Sequence, residues 1–269
     1  MLSAIAKGRC YLLTTISLVV LLPFGALVVI GCSANEGVQD TSDEPTTTTT
    51  TATTTDAPVV WNYVALGDSL AAGTGAASYE GYVERYAAYL EADTGVRVNV
   101  TNLGQNGLRS SELLFALRSD PSWRRAVGEA DILTVNIGIN DLGHAAQAYE
   151  QGTCGGTDNQ DCLRGAVQTL RGNWDTISAE LLSLRSTKDT IIRVAGLGYT
   201  PYLETEEVFL PYVDEVNRHI ATTASKNGIP YAEVHLDQGY ISQDGVHPND
   251  EGYEVIAERL RELGYRPLK

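Results

Sequence analysis

The sequence has few basic residues, few cysteines and no internal repeat. The first two of these features argue against several classes of binding site. It contains 19 Lys and Arg residues against 34 Asp and Glu residues, so its formal net charge is −15 at pH 7. This balance argues against binding to nucleic acid or to an anionic lipid surface by charge. The four cysteines include no Cys-x-x-Cys pair and no paired histidines accompany them, so we expect no metal site.

The amino-terminal region has the features of a bacterial lipoprotein signal. Residues 16–30 form an apolar run without charge behind Lys7 and Arg9, and this run is shorter than the roughly 20 residues of a membrane span. The sequence VIGC that ends at Cys32 resembles a lipobox, in which small residues before the cysteine admit the signal peptidase and the thiol receives a diacylglycerol. We therefore expect residues 1–31 to be removed as a signal peptide and Cys32 to be lipidated.

Lipidation at Cys32 would fix where the protein works. We expect an extracytoplasmic protein, lipid-anchored to the bacterial cell envelope; the alternatives are an uncleaved transmembrane anchor over residues 11–30 and secretion. Residues 32–58 would form a tether, either a stalk or a passive linker, because this Thr-rich segment has no apolar residues at helical or strand period and cannot bury a core. Residues 59–269 are expected to form one domain.

Two cysteines remain in this predicted domain. Cys10 leaves with the signal peptide and Cys32 carries the lipid, which leaves Cys154 and Cys162, eight positions apart. In an oxidising compartment we expect this pair to form a disulfide that closes a loop. The loop over residues 147–162 would then be semi-rigid and would overhang a neighbouring cleft as a rim.

Short apolar runs alternate with helical periodicity throughout residues 59–269. The predicted strands are residues 59–66, 96–102, 131–137, 190–195 and 230–234. The predicted helices are residues 79–92, 110–117, 163–184 and 210–226, with a last helix that Asn249 caps and Gly264 follows. This alternation indicates an α/β domain with a parallel sheet between helical layers. In such sheets ligands bind at the carboxyl ends of the strands.

Residues suited to nucleophilic catalysis lie near both ends of the predicted domain. Ser69 lies in the sequence Gly-Asp-Ser-Leu after the first predicted strand, where we expect the next helical stretch to begin. A serine hydroxyl is a weak nucleophile unless a base takes its proton; His247 would be that base, and Asp244 would hold its Nδ1–H. The pattern Gly-x-Ser-x-Gly is absent because Ala71 occupies its last position, which disfavours the common α/β-hydrolase elbow. Taken singly, a helix-capping serine and an Asp-Gly turn beside a surface histidine would explain these residues structurally.

A tetrahedral intermediate needs hydrogen-bond donors that already point at its negatively charged oxygen. Gly104 follows the second predicted strand and Asn140 follows the third. We expect the oxyanion hole to consist of the backbone N–H groups of Ser69 and Gly104 and the side-chain amide of Asn140. Taken singly, a strand-end glycine and an Asx-turn asparagine would explain the last two residues.

In order and spacing, the four blocks around Ser69, Gly104, Asn140 and His247 resemble those of the SGNH hydrolases, the GDSL esterase and lipase family. The resemblance covers nearly the whole predicted domain. It implies a three-layer α/β/α sandwich with a five-stranded parallel sheet, of the SGNH or flavodoxin-like kind. It also implies acyl transfer through an acyl-serine, with no metal and no cofactor.

The expected function is therefore that of a serine esterase or lipase that hydrolyses small-molecule, lipid or glycan esters of carboxylic acids. The alternative is a carbohydrate O-deacetylase that acts on cell-wall or extracellular glycans, which would suit a tethered surface enzyme. A third hypothesis is a surface binding module that kept the fold and lost turnover, although no motif residue is missing. We expect a monomer that binds no nucleic acid and contacts the membrane through the lipid on Cys32.

Two further features bear on the shape of the cleft. The side chains of Tyr82, Tyr86 and Tyr89 share one face of a predicted helix, and would either pack in the core or shape an acyl pocket. His144 follows closely after Asn140 and would line the cleft.

Overall fold

A computed structural model of the chain describes residues 59–77, 80–198 and 207–268. The predicted signal peptide, Cys32 and the predicted tether lie outside the described residues. Within the described ranges, no helix is both long enough and apolar enough to cross a membrane.

Within the described residues, five parallel strands form a single sheet, which confirms the predicted fold class. The strands are β1 (Val60–Gly67), β2 (Arg97–Asn102), β3 (Ile132–Asn136), β4 (Ile191–Ala195) and β5 (Tyr231–Ala232). Their order across the sheet is β2-β1-β3-β4-β5. The last strand is shorter than the sequence predicts, because only Tyr231 and Ala232 pair with β4.

Seven α-helices connect the strands of the described part of the chain. They are α1 (Tyr82–Thr94), α2 (Ser110–Ser119), α3 (Pro121–Glu129), α4 (Ile139–Glu150), α5 (Asp161–Leu184), α6 (Leu210–Lys226) and α7 (Asp250–Glu262). Helices α3 and α4 were not predicted from the sequence. Helix α3 begins where the Asp120 side chain accepts hydrogen bonds from the backbone N–H groups of Ser122 and Trp123, so it has an ordinary N-cap.

The two faces of the sheet bury separate apolar layers. In β1, the side chains of Tyr63 and Ala65 pack with α1 and α7, whereas those of Val64 and Leu66 pack with α2, α3, α5 and α6. This alternation follows from the period of two in a strand. It gives the three-layer sandwich that the resemblance implies.

The tyrosines of α1 belong to the core. Tyr82 and Tyr86 have no exposed surface, and the ring of Tyr86 meets that of Tyr63 edge to face, with centroids 5.7 Å apart. Tyr89 lies nearer the surface, with the Arg261 guanidinium 4.3 Å from its ring centroid. Packing, the first of the two expected roles, accounts for this face of the helix.

The strand order determines where a ligand can bind. From β1 the chain crosses to β2 on one side, and β3 then returns to the other side of β1. In this arrangement a crevice opens outside the carboxyl ends of β1 and β3. Ser69 follows β1 and Asn140 follows β3, so both residues lie at this point of the sheet.

Gly67 lies where β1 passes close to β3, two residues before Ser69. A Cβ atom at position 67 would lie 2.3 Å from the carbonyl oxygen of Asn136 and 3.0 Å from the Cβ atom of Ala71. Glycine at this position therefore allows the close approach of the two backbones.

We expect Gly67→Ala to destabilise the protein, because the added methyl group would push β1 away from β3. Overpacking of this kind costs about 1–3 kcal/mol, and would lower the midpoint of urea unfolding. Gly172→Ala is the matched control: Gly172 lies in α5 with open space around its Cα atom, so this change should stabilise the helix by about 0.5–1 kcal/mol. Equal midpoints for the two variants would contradict the steric argument.

Candidate active site

The structure brings Ser69, His247 and Asp244 together as a hydrogen-bonded chain. The Ser69 Oγ atom lies 2.9 Å from His247 Nε2, and His247 Nδ1 lies 2.7 Å from Asp244 Oδ2. Ser69 is largely buried, with 8% of its surface exposed, whereas the histidine and aspartate side chains are partly open to solvent. This is the geometry of a serine nucleophile with an oriented base. The roles assigned to the three residues stay predictions.

Hydrogen bonds within the turn that starts at Asp244 keep the carboxyl group of this residue ionised. Partial burial alone would raise the pKa of its carboxyl group, but hydrogen bonds from the backbone N–H groups of His247 and Val246, and from the side chains of His247 and Ser242, outweigh burial. Together these bonds hold the Asp244 pKa well below its usual range. A carboxylate in this state can orient the imidazole and stabilise its protonated form.

Ser69 lies in a series of turns over residues 68–75, and not at the start of a helix. The prediction that helical structure begins at Ser69 is therefore wrong, since α1 begins only at Tyr82. The physical reason lies in Gly73 and Gly75, which adopt positive φ angles of 76° and 96° and so interrupt any helix.

The same turns pack directly against the loop that carries the histidine. A Cβ atom at Gly75 would lie 2.5 Å from the carbonyl oxygen of Pro248 and 2.8 Å from the Cβ atom of His247. In addition, the hydroxyl of Tyr253 in α7 donates a hydrogen bond of 2.6 Å to the carbonyl of Thr74. These contacts fix the position of the serine turn relative to the histidine.

The two further residues of the predicted oxyanion hole both have hydrogen-bond partners. The side-chain amide of Asn140 donates to the carbonyl of Leu108 at 3.0 Å; an amide has two N–H donors, so one N–H remains for a ligand. The backbone N–H of Gly104 donates to Asn102 Oδ1 at 3.0 Å, and an oxyanion would have to share this donor. The part of these residues in an oxyanion hole stays a prediction.

A cavity of about 500 Å³ extends from the serine. Its lining includes Ser69, Asn140 and His247, and also His144, which was expected to line the cleft. Most of the remaining wall is apolar and comes from α4, α5, α6 and the segments after β4 and β5. The apolar residues include Leu142, Leu163, Leu197, Phe209, Val213 and Leu236.

The apolar wall of this cavity could not be predicted from the sequence. Leu163 was predicted as the first residue of a helix, and Phe209 and Leu236 lie in connecting segments without periodicity. Their only local signal is that each is apolar, which is equally true of core residues. The predicted loop over residues 147–162 is partly helical, because α4 continues to Glu150. Within it, a disulfide joins Cys154 and Cys162.

Asp68 is a second acidic residue at the site, and its environment is the opposite of that of Asp244. Its side chain is fully buried; Oδ1 accepts a hydrogen bond of 3.0 Å from the N–H of Leu70, while Oδ2 has no hydrogen-bond partner among the described residues. Burial raises the pKa of Asp68 to about 7, although the Leu70 N–H and the nearby His247 act against this rise.

The raised pKa of Asp68 predicts a specific dependence of stability on pH. The unfolded chain releases this proton near pH 4 and the folded chain only near pH 7, so folding stability falls as the pH rises between these values, by roughly 1.4 kcal/mol per pH unit at most. Asp68→Asn removes this contribution. Urea unfolding at pH 5 and pH 8 should therefore show a smaller loss of stability at pH 8 for Asp68→Asn than for the parent.

Glu129→Gln, which changes an exposed carboxylate on α3 to an amide, is the control and should keep the pH dependence of the parent. If Asp68→Asn and the parent lost the same stability between pH 5 and pH 8, Asp68 would not hold its proton in the folded protein.

Known proteins resemble this chain in both sequence and fold. The sequence model of the GDSL-like lipase/acylhydrolase family matches residues 65–255. The spore germination lipase LipC of Bacillus licheniformis is 30% identical over 215 residues, which cover 77% of this chain and 98% of LipC. In structure, the lipase Lip_vut3 from a goat rumen metagenome matches with a TM-score of 0.66 at 27% identity, over 78% of this chain and all of that chain.

A more distant likeness extends to the acetylxylan esterase Axe2 of Geobacillus stearothermophilus. A catalytic mutant of that enzyme matches with a TM-score of 0.58 at 17% identity, over 78% of this chain and 97% of the other. At this identity the likeness shows a shared fold. The family match, which covers most of the described domain, and the relationship to LipC show more: this chain is an ester hydrolase that belongs to the GDSL-like lipase/acylhydrolase family.

Proposed function

We propose that this enzyme hydrolyses uncharged esters with medium-length apolar acyl groups, and that Ser69 is its nucleophile. One observation carries the proposal: Ser69 Oγ lies 2.9 Å from His247 Nε2 in the lining of a largely apolar cavity of about 500 Å³. The contact supports activation of the hydroxyl, and the cavity supports binding of an acyl chain beside it.

In the first half of the proposed reaction, Ser69 Oγ attacks the ester carbonyl while His247 Nε2 accepts the hydroxyl proton. Asp244 accepts a hydrogen bond from Nδ1 and stabilises the imidazolium that forms. The tetrahedral intermediate then collapses: the bond to the alcohol oxygen breaks, His247 gives its proton to the departing alkoxide, and the acyl group remains on Ser69.

In the second half, water attacks the acyl-serine by the same route. His247 removes a proton from the water, and the new tetrahedral intermediate expels Ser69, which takes the proton back from the imidazolium. In both halves the negative oxygen would accept hydrogen bonds from the Asn140 amide and from the backbone N–H groups of Ser69 and Gly104. Removal of one such donor typically lowers turnover by roughly 10²–10³-fold.

The cavity supports an uncharged, apolar acyl group. Its volume falls within the range of about 300–1,000 Å³ for small-molecule pockets, which is more than an acetyl group needs. The described residues in its lining include no Lys or Arg, and its acidic residues are Asp68 and Glu150. Such a lining offers no cation to pair with an anionic group, which favours neutral esters such as acylglycerols.

Deacetylation of a glycan is the alternative, and the same cavity argues against it. An acetyl group would leave most of the apolar wall without contact with the substrate. The likeness to the acetylxylan esterase Axe2, at 17% identity, shows a shared fold and gives no information about the substrate. A clear preference for acetyl esters over longer ones would favour this alternative.

We propose further that the enzyme works as a monomer outside the cytoplasm, with residues 1–31 removed and a lipid on Cys32. The support is in the sequence: a short apolar run behind Lys7 and Arg9, a lipobox-like VIGC and a Thr-rich segment over residues 33–58. Lipid anchorage would hold the catalytic domain near membrane lipids, which suits an acylglycerol substrate.

A series of p-nitrophenyl esters, from acetate to palmitate, tests the proposed substrate. With residues 58–269 we expect the highest kcat/KM for esters of intermediate acyl length, because these fill the apolar cavity. Ser69→Ala should abolish the activity throughout the series. Activity confined to the acetate would contradict the proposed acyl class, and equal rates for the parent and Ser69→Ala would exclude Ser69 as the nucleophile.

A further inference from the structure

The disulfide between Cys154 and Cys162 closes a nine-residue ring, Cys154–Cys162, that follows α4 and ends in the first turn of α5. We call this segment the disulfide ring. Its backbone is also held internally: the N–H of Cys162 donates to the carbonyl of Cys154 at 3.0 Å, and the N–H of Asp161 to that of Gly155 at 3.2 Å. At its base, Arg164 of α5 donates to both carboxylate oxygens of Asp158, at 3.0 and 2.9 Å.

One side chain of the ring contacts the wall of the cavity directly. The hydroxyl of Tyr212, in the first turn of α6, donates a hydrogen bond of 2.7 Å to Gln160 Oε1. Tyr212 lines the cavity. The bond therefore joins the ring to a residue that an acyl chain in the cavity would touch.

A second connection runs through α4. The side-chain amide of Asn159 donates to the carbonyl of Tyr149 at 2.7 Å. The aromatic side chain of Tyr149 in turn packs edge to face against that of Phe209, with centroids 5.6 Å apart and aromatic planes at 78°. Phe209 is 4% exposed and also lines the cavity, so both connections end on the same wall, at the start of α6.

We propose that the disulfide ring determines the acyl-chain preference of the enzyme. By holding Tyr212 and Phe209 in place, it fixes the wall of the cavity formed by the start of α6, so that the cavity is already shaped for an acyl chain before the substrate arrives. This inference rests on the proposed function, since it gives the proposed acyl cavity its structural support. Ser69 follows β1, and Asp244 and His247 precede α7, so these residues lie outside the segment from α4 to α5 that contains the ring. We therefore expect the ring to affect binding of the acyl chain and not proton transfer.

The test compares kcat/KM for p-nitrophenyl octanoate and p-nitrophenyl acetate. Tyr212→Phe removes only a hydroxyl group, and Gln160→Leu removes its acceptor at similar volume. We expect each change to lower the octanoate-to-acetate ratio by about three- to tenfold, the effect of losing one ordinary hydrogen bond. Because both variants break the same bond, the double variant should lower the ratio no further than either single one.

Gln168→Leu is the matched control, because Gln168 is exposed on α5 and should leave the ratio at the value of the parent. Reduction of the parent with dithiothreitol should lower the ratio in the same direction. The double variant Cys154→Ser, Cys162→Ser should show the lowered ratio without reductant and no further response to it. Circular dichroism of each variant establishes that it is folded.

The results separate the two proposals. If the parent prefers octanoate and both Tyr212→Phe and Gln160→Leu keep its ratio, the role of the ring is overturned and the proposed substrate class stands. If the parent hydrolyses only the acetate, and Ser69→Ala abolishes that activity, the proposed medium-chain acyl class is wrong. The inference about the disulfide ring, which rests on that class, is then wrong as well.

Discussion

The site depends on the packing of two turns that lie far apart in the chain. Ser69 and His247 are 178 positions apart, and they are in contact because the turns after β1 pack against the loop before α7. Gly75 allows this contact, since any larger residue would clash with the backbone of Pro248. The parallel sheet supplies the rest of the geometry: at the reversal of strand order, the segments after β1 and β3 open toward the same crevice. The contact between Ser69 and His247 and the cavity beside it are thus consequences of one topology.

Asp244 and Asp68 lie at the same site, and their different environments shift their pKa values in opposite directions. Asp244 accepts several hydrogen bonds that favour its charged form, so it can support a protonated imidazole. Asp68, one residue before Ser69, is buried, and its Oδ2 atom has no hydrogen-bond partner among the described residues, so burial favours its neutral form. A neutral Asp68 would add no second negative charge to the lining of the cavity, in which the proposed reaction generates an oxyanion.

The strands could be predicted from the sequence, and so could the proximity of Ser69, His247 and Asp244, because both have local signals. Each strand is a short apolar run, and the residues around Ser69 and His247 occur in recognisable motifs. Helix α3 was missed although its signal, Asp120 before a proline, is present. The apolar wall of the cavity had no such signal, because Phe209 and Tyr212 are connected to the disulfide ring only through tertiary packing. Apolar residues of a cavity and of a core look alike until the elements that carry them are placed in space.

If His247 activates Ser69, a fluorophosphonate should label this serine in the folded protein. The reagent phosphonylates an activated serine, and tandem mass spectrometry of the digested protein locates the label. The account predicts one label, on Ser69, in the parent, and its loss in His247→Ala that remains folded by circular dichroism. A label on another residue, or equal labelling of Ser69 without His247, would contradict the account.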